Sequence, residues 1–197
     1  MKFSNFVPLI LVTLMLLVGS SCSCGGNGGT PTPTPGPTAN ATVTPTPVLG
    51  YLEYIDEENG FAILYPEGWE AESSEGMLAL FLGGESDPMC SPQVQVTNEE
   101  MSQPVGVHAW FEELKGNYTA AGGYTPISEE DVTVDGFLAI KHVCSIAVSE
   151  DVDFQAVLLY VVEDITGWIV FCTCRSDCWS QYETTFDTMI GSFQLLD

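Results

Sequence analysis

Apolar and polar positions along this chain change their period several times. Tyr51–Asp56 and Phe61–Tyr65 read as two strands joined at Glu57-Glu58-Asn59-Gly60. Asn-Gly supplies positive φ for a tight hairpin turn. Pro66 ends the second strand because it removes a ladder donor, and Gly68 and Trp69 follow it. Met77–Leu82 is a further apolar run, and Gln93–Thr97 alternates as a half-buried strand should. Gly83–Pro92 between them is a loop that contains Cys90. The period then becomes helical: Val107, Trp110, Phe111, Leu114 and Tyr118 form one apolar face, which Gly122-Gly123 ends. Ser128–Val134 is acidic, and Asp135-Gly136 is another turn.

Three strong strands follow, Phe137–Val148, Phe154–Glu163 and Trp168–Cys174. In the second, Phe154, Ala156, Leu158, Tyr160 and Val162 alternate with Val157, Leu159 and Val161. A sheet wet on one side would alternate with polar residues, so these strands call for cover on both sides. A last helix is predicted from about Asp177 to Ile190, with Trp179, Tyr182, Phe186 and Met189 as its stripe. Ser176 is its candidate N-cap and Gly191 its candidate stop, and Ser192–Leu196 is expected to close as a short strand. The expected class is α+β: an antiparallel β-sheet covered by helices on both faces, an α/β/α sandwich.

The first 48 residues have no such pattern. Residues 1–21 read as a signal peptide: Lys2 gives a positive start, and the apolar run Phe6–Val18 falls short of the ~20 residues that span a bilayer. Gly19, Ser20 and Ser21 lead into Cys22. This resembles a lipobox, in which the new N-terminal cysteine is acylated, although Gly19 stands where Leu is usual. Cys22 is the favoured lipidation site, Cys24 is a second candidate, and plain secretion is the alternative. Residues 22–48 are then the lipidation cysteine and a disordered Thr/Pro/Gly-rich linker. At about 3 Å per residue, its extended part could hold a domain up to roughly 70 Å from a membrane. The globular domain is expected over 49–197.

Element order joins one short motif here. With Gly60-Phe61-Ala62-Ile63-Leu64-Tyr65-Pro66-Glu67-Gly68-Trp69 near its start and Gly191-Ser192-Phe193 near its end, the domain resembles the PsbP-like fold family over roughly Tyr51–Leu196. That family includes the extrinsic PsbP subunit of photosystem II and many prokaryotic lipoproteins of unknown role. The resemblance implies non-catalytic work: assembly, stabilisation, or binding of an ion or partner. It carries no functional residue onto this chain.

Composition narrows the partners. The 197 residues include 27 Asp and Glu against 4 Lys and Arg, a formal charge of −23. Such a surface repels phosphate backbones, so nucleic acid is excluded as a partner. The expected partners are a membrane, through the N-terminal lipid, and an unidentified protein. Localisation is extracytoplasmic. Seven cysteines fit an oxidising compartment. Five lie in the domain, and one or two disulfides are expected among them. Cys174 with Cys178 is the favoured local bridge, because four residues at a strand-to-helix corner can meet disulfide geometry. A soft-metal site from His142, Cys144 and the later cysteines is the sharper alternative, but the Cys-x-Cys-x-x-x-Cys spacing is not a zinc pattern. Glu129-Glu130-Asp131, and Glu150-Asp151 with Asp153, could hold calcium weakly if their loops gather the carboxylates. No Gly-x-Ser-x-Gly, His-Glu-x-x-His or phosphate loop is present. The chain is therefore read as a non-enzyme without a cofactor, and a cation carrier is the second functional reading.

Overall fold

The computed structural model describes residues 50–74, 77–83 and 90–196. The leader, Cys22 and the linker lie outside the described residues. The domain is mostly antiparallel β-sheet with two helices. A small sheet has the order β1-β2-β10 and a larger one the order β3-β4-β5-β9-β8-β7-β6. The strands are β1 (Tyr51–Asp56), β2 (Phe61–Pro66), β3 (Glu70–Ser74), β4 (Met77–Leu82), β5 (Gln93–Glu100), β6 (Tyr124–Val134), β7 (Phe137–Ser149), β8 (Val152–Glu163), β9 (Thr166–Arg175) and β10 (Gln194–Leu195). Helix α1 is Val107–Ala121 and helix α2 is Trp179–Gly191.

The β1–β2 turn is built differently from a two-residue hairpin turn. Asp56 pairs with Phe61 across a four-residue loop. Gly60 alone in that loop has positive φ, at +77°, and its N–H donates to the Asp56 carbonyl at 2.8 Å. The Asn59 backbone N–H and side-chain amide both donate to the Asp56 carboxylate, at 3.0 and 2.7 Å. Asp56 thus organises the turn that Asn-Gly signals in the sequence.

β8 and β9 lie side by side, and their central side chains are buried. Tyr160 of β8 meets Trp110 and Phe111 of α1, with ring centroids 5.8 and 5.1 Å apart. The next residues along, Leu159 and Val161, join Phe186, Met189 and Ile190 of α2 in one apolar cluster. Gly167 is required by α1: a Cβ there would stand 2.6 Å from the Trp110 ring. Gly122, with φ +80°, ends α1 as the sequence predicts.

Two strands lack the expected signal. β3 and the eleven-residue β6 are the edges of the larger sheet, and β6 is almost entirely exposed until Val134. An edge strand pairs on one side only and needs no apolar face, so periodicity does not mark it.

The last helix also begins differently. Ser176–Cys178 forms a 3₁₀ turn, and α2 starts at Trp179 without a side-chain cap, so Ser176 is not its N-cap. What holds that corner is a disulfide between Cys90 and Cys178, with Cα atoms 5.6 Å apart. The expected Cys174–Cys178 bridge is therefore incorrect. β5 pairs antiparallel with β9 from Gln93↔Thr173, which brings Cys90 beside the corner, where its carbonyl accepts the Arg175 N–H at 3.0 Å. Cys174 is instead a buried member of the apolar cluster.

At the other end of α2, Ser192 joins distant parts of the chain. Its hydroxyl donates to the Met189 carbonyl at 2.7 Å and accepts the Leu64 N–H of β2 at 2.9 Å.

The core is anchored by Phe61, which is 0% exposed and in ring contact with Tyr54, Trp168 and Phe193. Trp69 is only half-buried, against Tyr182 and Phe186. Phe61→Ala should cost about 3–5 kcal/mol in urea unfolding, and Trp69→Ala clearly less. The Cys90–Cys178 bridge spans 88 residues, so loop-closure entropy assigns it roughly 4–5 kcal/mol. Thermal melts of the Cys90→Ala/Cys178→Ala variant should show a loss of that order, and non-reducing peptide mapping should recover the Cys90–Cys178 pair.

Candidate functional site

The expected candidates are not brought to one place. On β7, Cys144 stands in register with Ala156, and Ala156 in turn with Thr173 of β9. Side chains alternate along a strand, so Cys172 and Cys174 point to the face opposite Cys144 and His142. The soft-metal arrangement therefore cannot form from these residues. The acidic triplet Glu129-Glu130-Asp131 lies within β6, not in a loop, so its successive carboxylates also diverge. Among the described residues no three His, Cys, Asp or Glu side chains converge as a metal site.

His142 instead belongs to a packed cluster beneath α1. It is 0% exposed, and its Nε2 shares a 2.7 Å hydrogen bond with the Tyr124 hydroxyl. Its Nδ1 lies 4.0 Å from Glu129 Oε1, and the Phe111 ring packs against the imidazole at a tilt, with centroids 5.2 Å apart. Burial pushes the His142 pKa below its ordinary value, partly offset by Glu129. Burial also raises Tyr118 to about 12, Cys144 to about 12, and Tyr160 well above the usual phenol range. These groups are held uncharged at neutral pH, so Cys144 is a poor nucleophile. Sequence periodicity alone does not distinguish such a cluster from an ordinary apolar face.

The rare cations are already engaged. Lys115 of α1 contacts Glu129 of β6 at 2.6 Å and Glu112 at 3.4 Å. Lys141 of β7 contacts Asp187 of α2 at 2.8 Å, and Arg175 contacts Asp177 at 2.9 Å. His108 lies 3.3 Å from Asp131, which ties α1 to β6 a second time. The domain thus presents an acidic exterior with each Lys and Arg already in an ion pair. Exposed pairs of this kind contribute little stability, about 0–1 kcal/mol each, but they occupy the groups that would bind an anion.

One open groove joins the two sheets. Tyr54, Ile55, Met77 and Leu78 supply its apolar lining, and Asp56, Glu57 and Glu58 its acidic edge. Its volume is about 630 Å³. Among the described residues no helix is long and apolar enough to cross a membrane.

No protein-family model matches the chain, and no curated protein matches it in sequence. Solved structures do. Cyanobacterial PsbP from Synechocystis superposes with a TM-score of 0.59 at 16% identity, covering 79% of this chain and 98% of that one. The fold is PsbP-like. A second structural neighbour is LpqN of Mycobacterium tuberculosis, described as involved in cell envelope biogenesis. It superposes with a TM-score of 0.60 at 12% identity, covering 75% of this chain and 92% of that one. A Pseudomonas aeruginosa protein of unknown function matches with a TM-score of 0.51 at 13% identity, covering 70% of this chain and 91% of that one. At these identities the likeness establishes the PsbP-like fold alone.

His142 gives this cluster a pH signature. Its folded pKa is depressed from 6.5, so its titration costs nothing well above that value. As pH falls through 6.5, the unfolded chain takes up a proton that the fold resists, and stability drops. The groups facing the ring are Tyr124, Glu129 and, through Glu129, Lys115. Melting temperatures compared at about pH 7.5 and about pH 5.5 should fall further for the wild-type chain than for His142→Gln.

Proposed function

We propose that this chain is an extracytoplasmic lipoprotein, held to a membrane by acyl chains on Cys22 and presenting a non-catalytic PsbP-like binding or accessory domain on its Thr/Pro spacer. One observation carries the non-catalytic part. The domain's three Lys and Arg residues are spent in ion pairs, and its buried His and thiols are held neutral. Little remains to stabilise a developing negative charge, which is the usual work of an active site. What the domain offers outward is acidic surface and a groove, which suits recognition by contact.

Three observations support this position in the cell. The leader ends in small residues before Cys22, the domain contains a disulfide, and one structural neighbour is described as a cell envelope protein. We also infer that α1 and α2 close opposite faces of the larger sheet as an α/β/α sandwich. The division of β8 side chains between Trp110 and Phe111 on one hand and Phe186 and Met189 on the other supports this reading.

Fractionation of expressing cells tests the anchor. Cys22→Ala should move the protein from the membrane fraction to the medium, and unchanged retention would overturn lipidation. Crosslinking on intact cells tests the binding role. A stoichiometric adduct of reproducible mass is the expected result; its absence across several linker lengths would count against a binding module.

A further inference from the structure

The groove between the β1–β2 and β3–β4 hairpins carries more than its volume. Among the described residues β1 pairs only with β2 and β3 only with β4, so each is an edge of its sheet there. Residues of both hairpins line this one groove. Its floor is fixed: the Tyr54 ring packs edge-on against Phe81 at 5.3 Å and tilts on Phe61 at 5.9 Å. Ile55, the next residue along β1, is 54% exposed, which leaves a large aliphatic side chain at this edge. The acidic side is partly fixed too, because Asn59 holds the Asp56 carboxylate. Glu57 and Glu58 remain exposed at the turn, with no cation recorded against either among the described residues.

We propose that this groove receives an extended basic segment of a partner protein. An aliphatic side chain of that segment rests on Ile55 and Met77, and flanking Lys or Arg side chains meet Glu57 and Glu58. This rests on the reading of the domain as a binding module. Charge chooses the occupant. The formal charge is −23, and the domain's own Lys and Arg are committed elsewhere, so only an outside cation can neutralise this rim. A second copy would set acid against acid. The chain's own residues 25–48 contain no Lys or Arg and are broken by prolines, which cannot complete a strand ladder. The open edge selects shape. The outward N–H and C=O groups of β1 are satisfied by an added strand, and alternate side chains of that strand then give specificity.

The test uses the full-length chain in detergent and three synthetic octapeptides: alternating Lys-Val, alternating Glu-Val and alternating Lys-Gly. Calorimetry should detect binding of the Lys-Val peptide alone, and hydrogen exchange should slow across residues 51–56. Ile55→Asp and the pair Glu57→Lys/Glu58→Lys should each weaken binding about tenfold or more. The pair Glu150→Lys/Asp151→Lys, on the β7–β8 turn, should change it by less than about twofold. All of these side chains are exposed, and unchanged melting curves confirm that the variants fold. Equal binding of Lys-Gly, or an equal loss in the β7–β8 pair, would reduce the effect to diffuse charge and overturn the proposal. So would protection outside β1, absence of binding, or an Ile55→Asp effect that only dissolves a dimer of this chain. Crosslinking on cells separates the two levels of the argument. A partner captured equally by the wild-type chain and the Glu57→Lys/Glu58→Lys pair sinks the groove and spares the binding module, whereas a wild-type chain that captures nothing sinks the module.

Discussion

β8 and β9 run beside each other through the larger sheet with apolar side chains on both of their faces, and each set of side chains must be removed from water. That requirement shapes the rest of the domain. Tyr160 takes its cover from the aromatic face of α1, close enough that β9 must offer a glycine at 167. Leu159 and Val161 take theirs from a cluster that draws in α2 and the Phe61 end of the small sheet. Burial of apolar area at about 25 cal/mol per Å² is the main favourable term available, since polar networks beneath α1 contribute chiefly order. The cystine then fixes where α2 leaves β9, so the helix meets the sheet at one place.

Electrostatics works under scarcity. With 27 acidic groups and 4 basic ones in the whole chain, each cation placed between elements has a large share of the available attraction. Lys115 and His108 lie between α1 and the acidic β6, and Lys141 lies between β7 and α2. The edge strand β6 carries the acidic triplet that looks like a loop in the sequence, and those carboxylates help to seat it. The same acidity blunts an open edge against unwanted pairing, as charged edge strands generally do.

The legible parts of the fold are those whose signal is local. The helical stripe Val107–Tyr118, the two-faced strands and the Gly122-Gly123 stop are written in neighbouring residues. So is the motif around Phe61 that pointed to a PsbP-like domain. The parts missed depend on partners far away in sequence. Cys178 has a neighbour at 174 that satisfies spacing, yet its true partner, Cys90, arrives only because β5 lies against β9. β3 and β6 form because another strand offers a ladder, and neither has an apolar face to announce it. The groove beside β1 was equally hidden, since Ile55 reads as one more strand residue until the tertiary arrangement leaves it exposed. Its acidic rim reads as an ordinary polar turn.

β10 pairs Gln194 and Leu195 with Ala62 and Phe61, so the small sheet joins the domain's first hairpin to its final residues. Ser192 reinforces that closure by accepting from Leu64. Contacts separated by most of a chain are slow to find one another, because the intervening segment must be drawn together first. The consequence concerns time rather than strength. During synthesis, the leading hairpin must wait, with one side of β2 unpaired, until the residues that follow the last helix have emerged. The domain's two ends mature together, and an interruption near the C-terminus leaves its damage at the N-terminal hairpin.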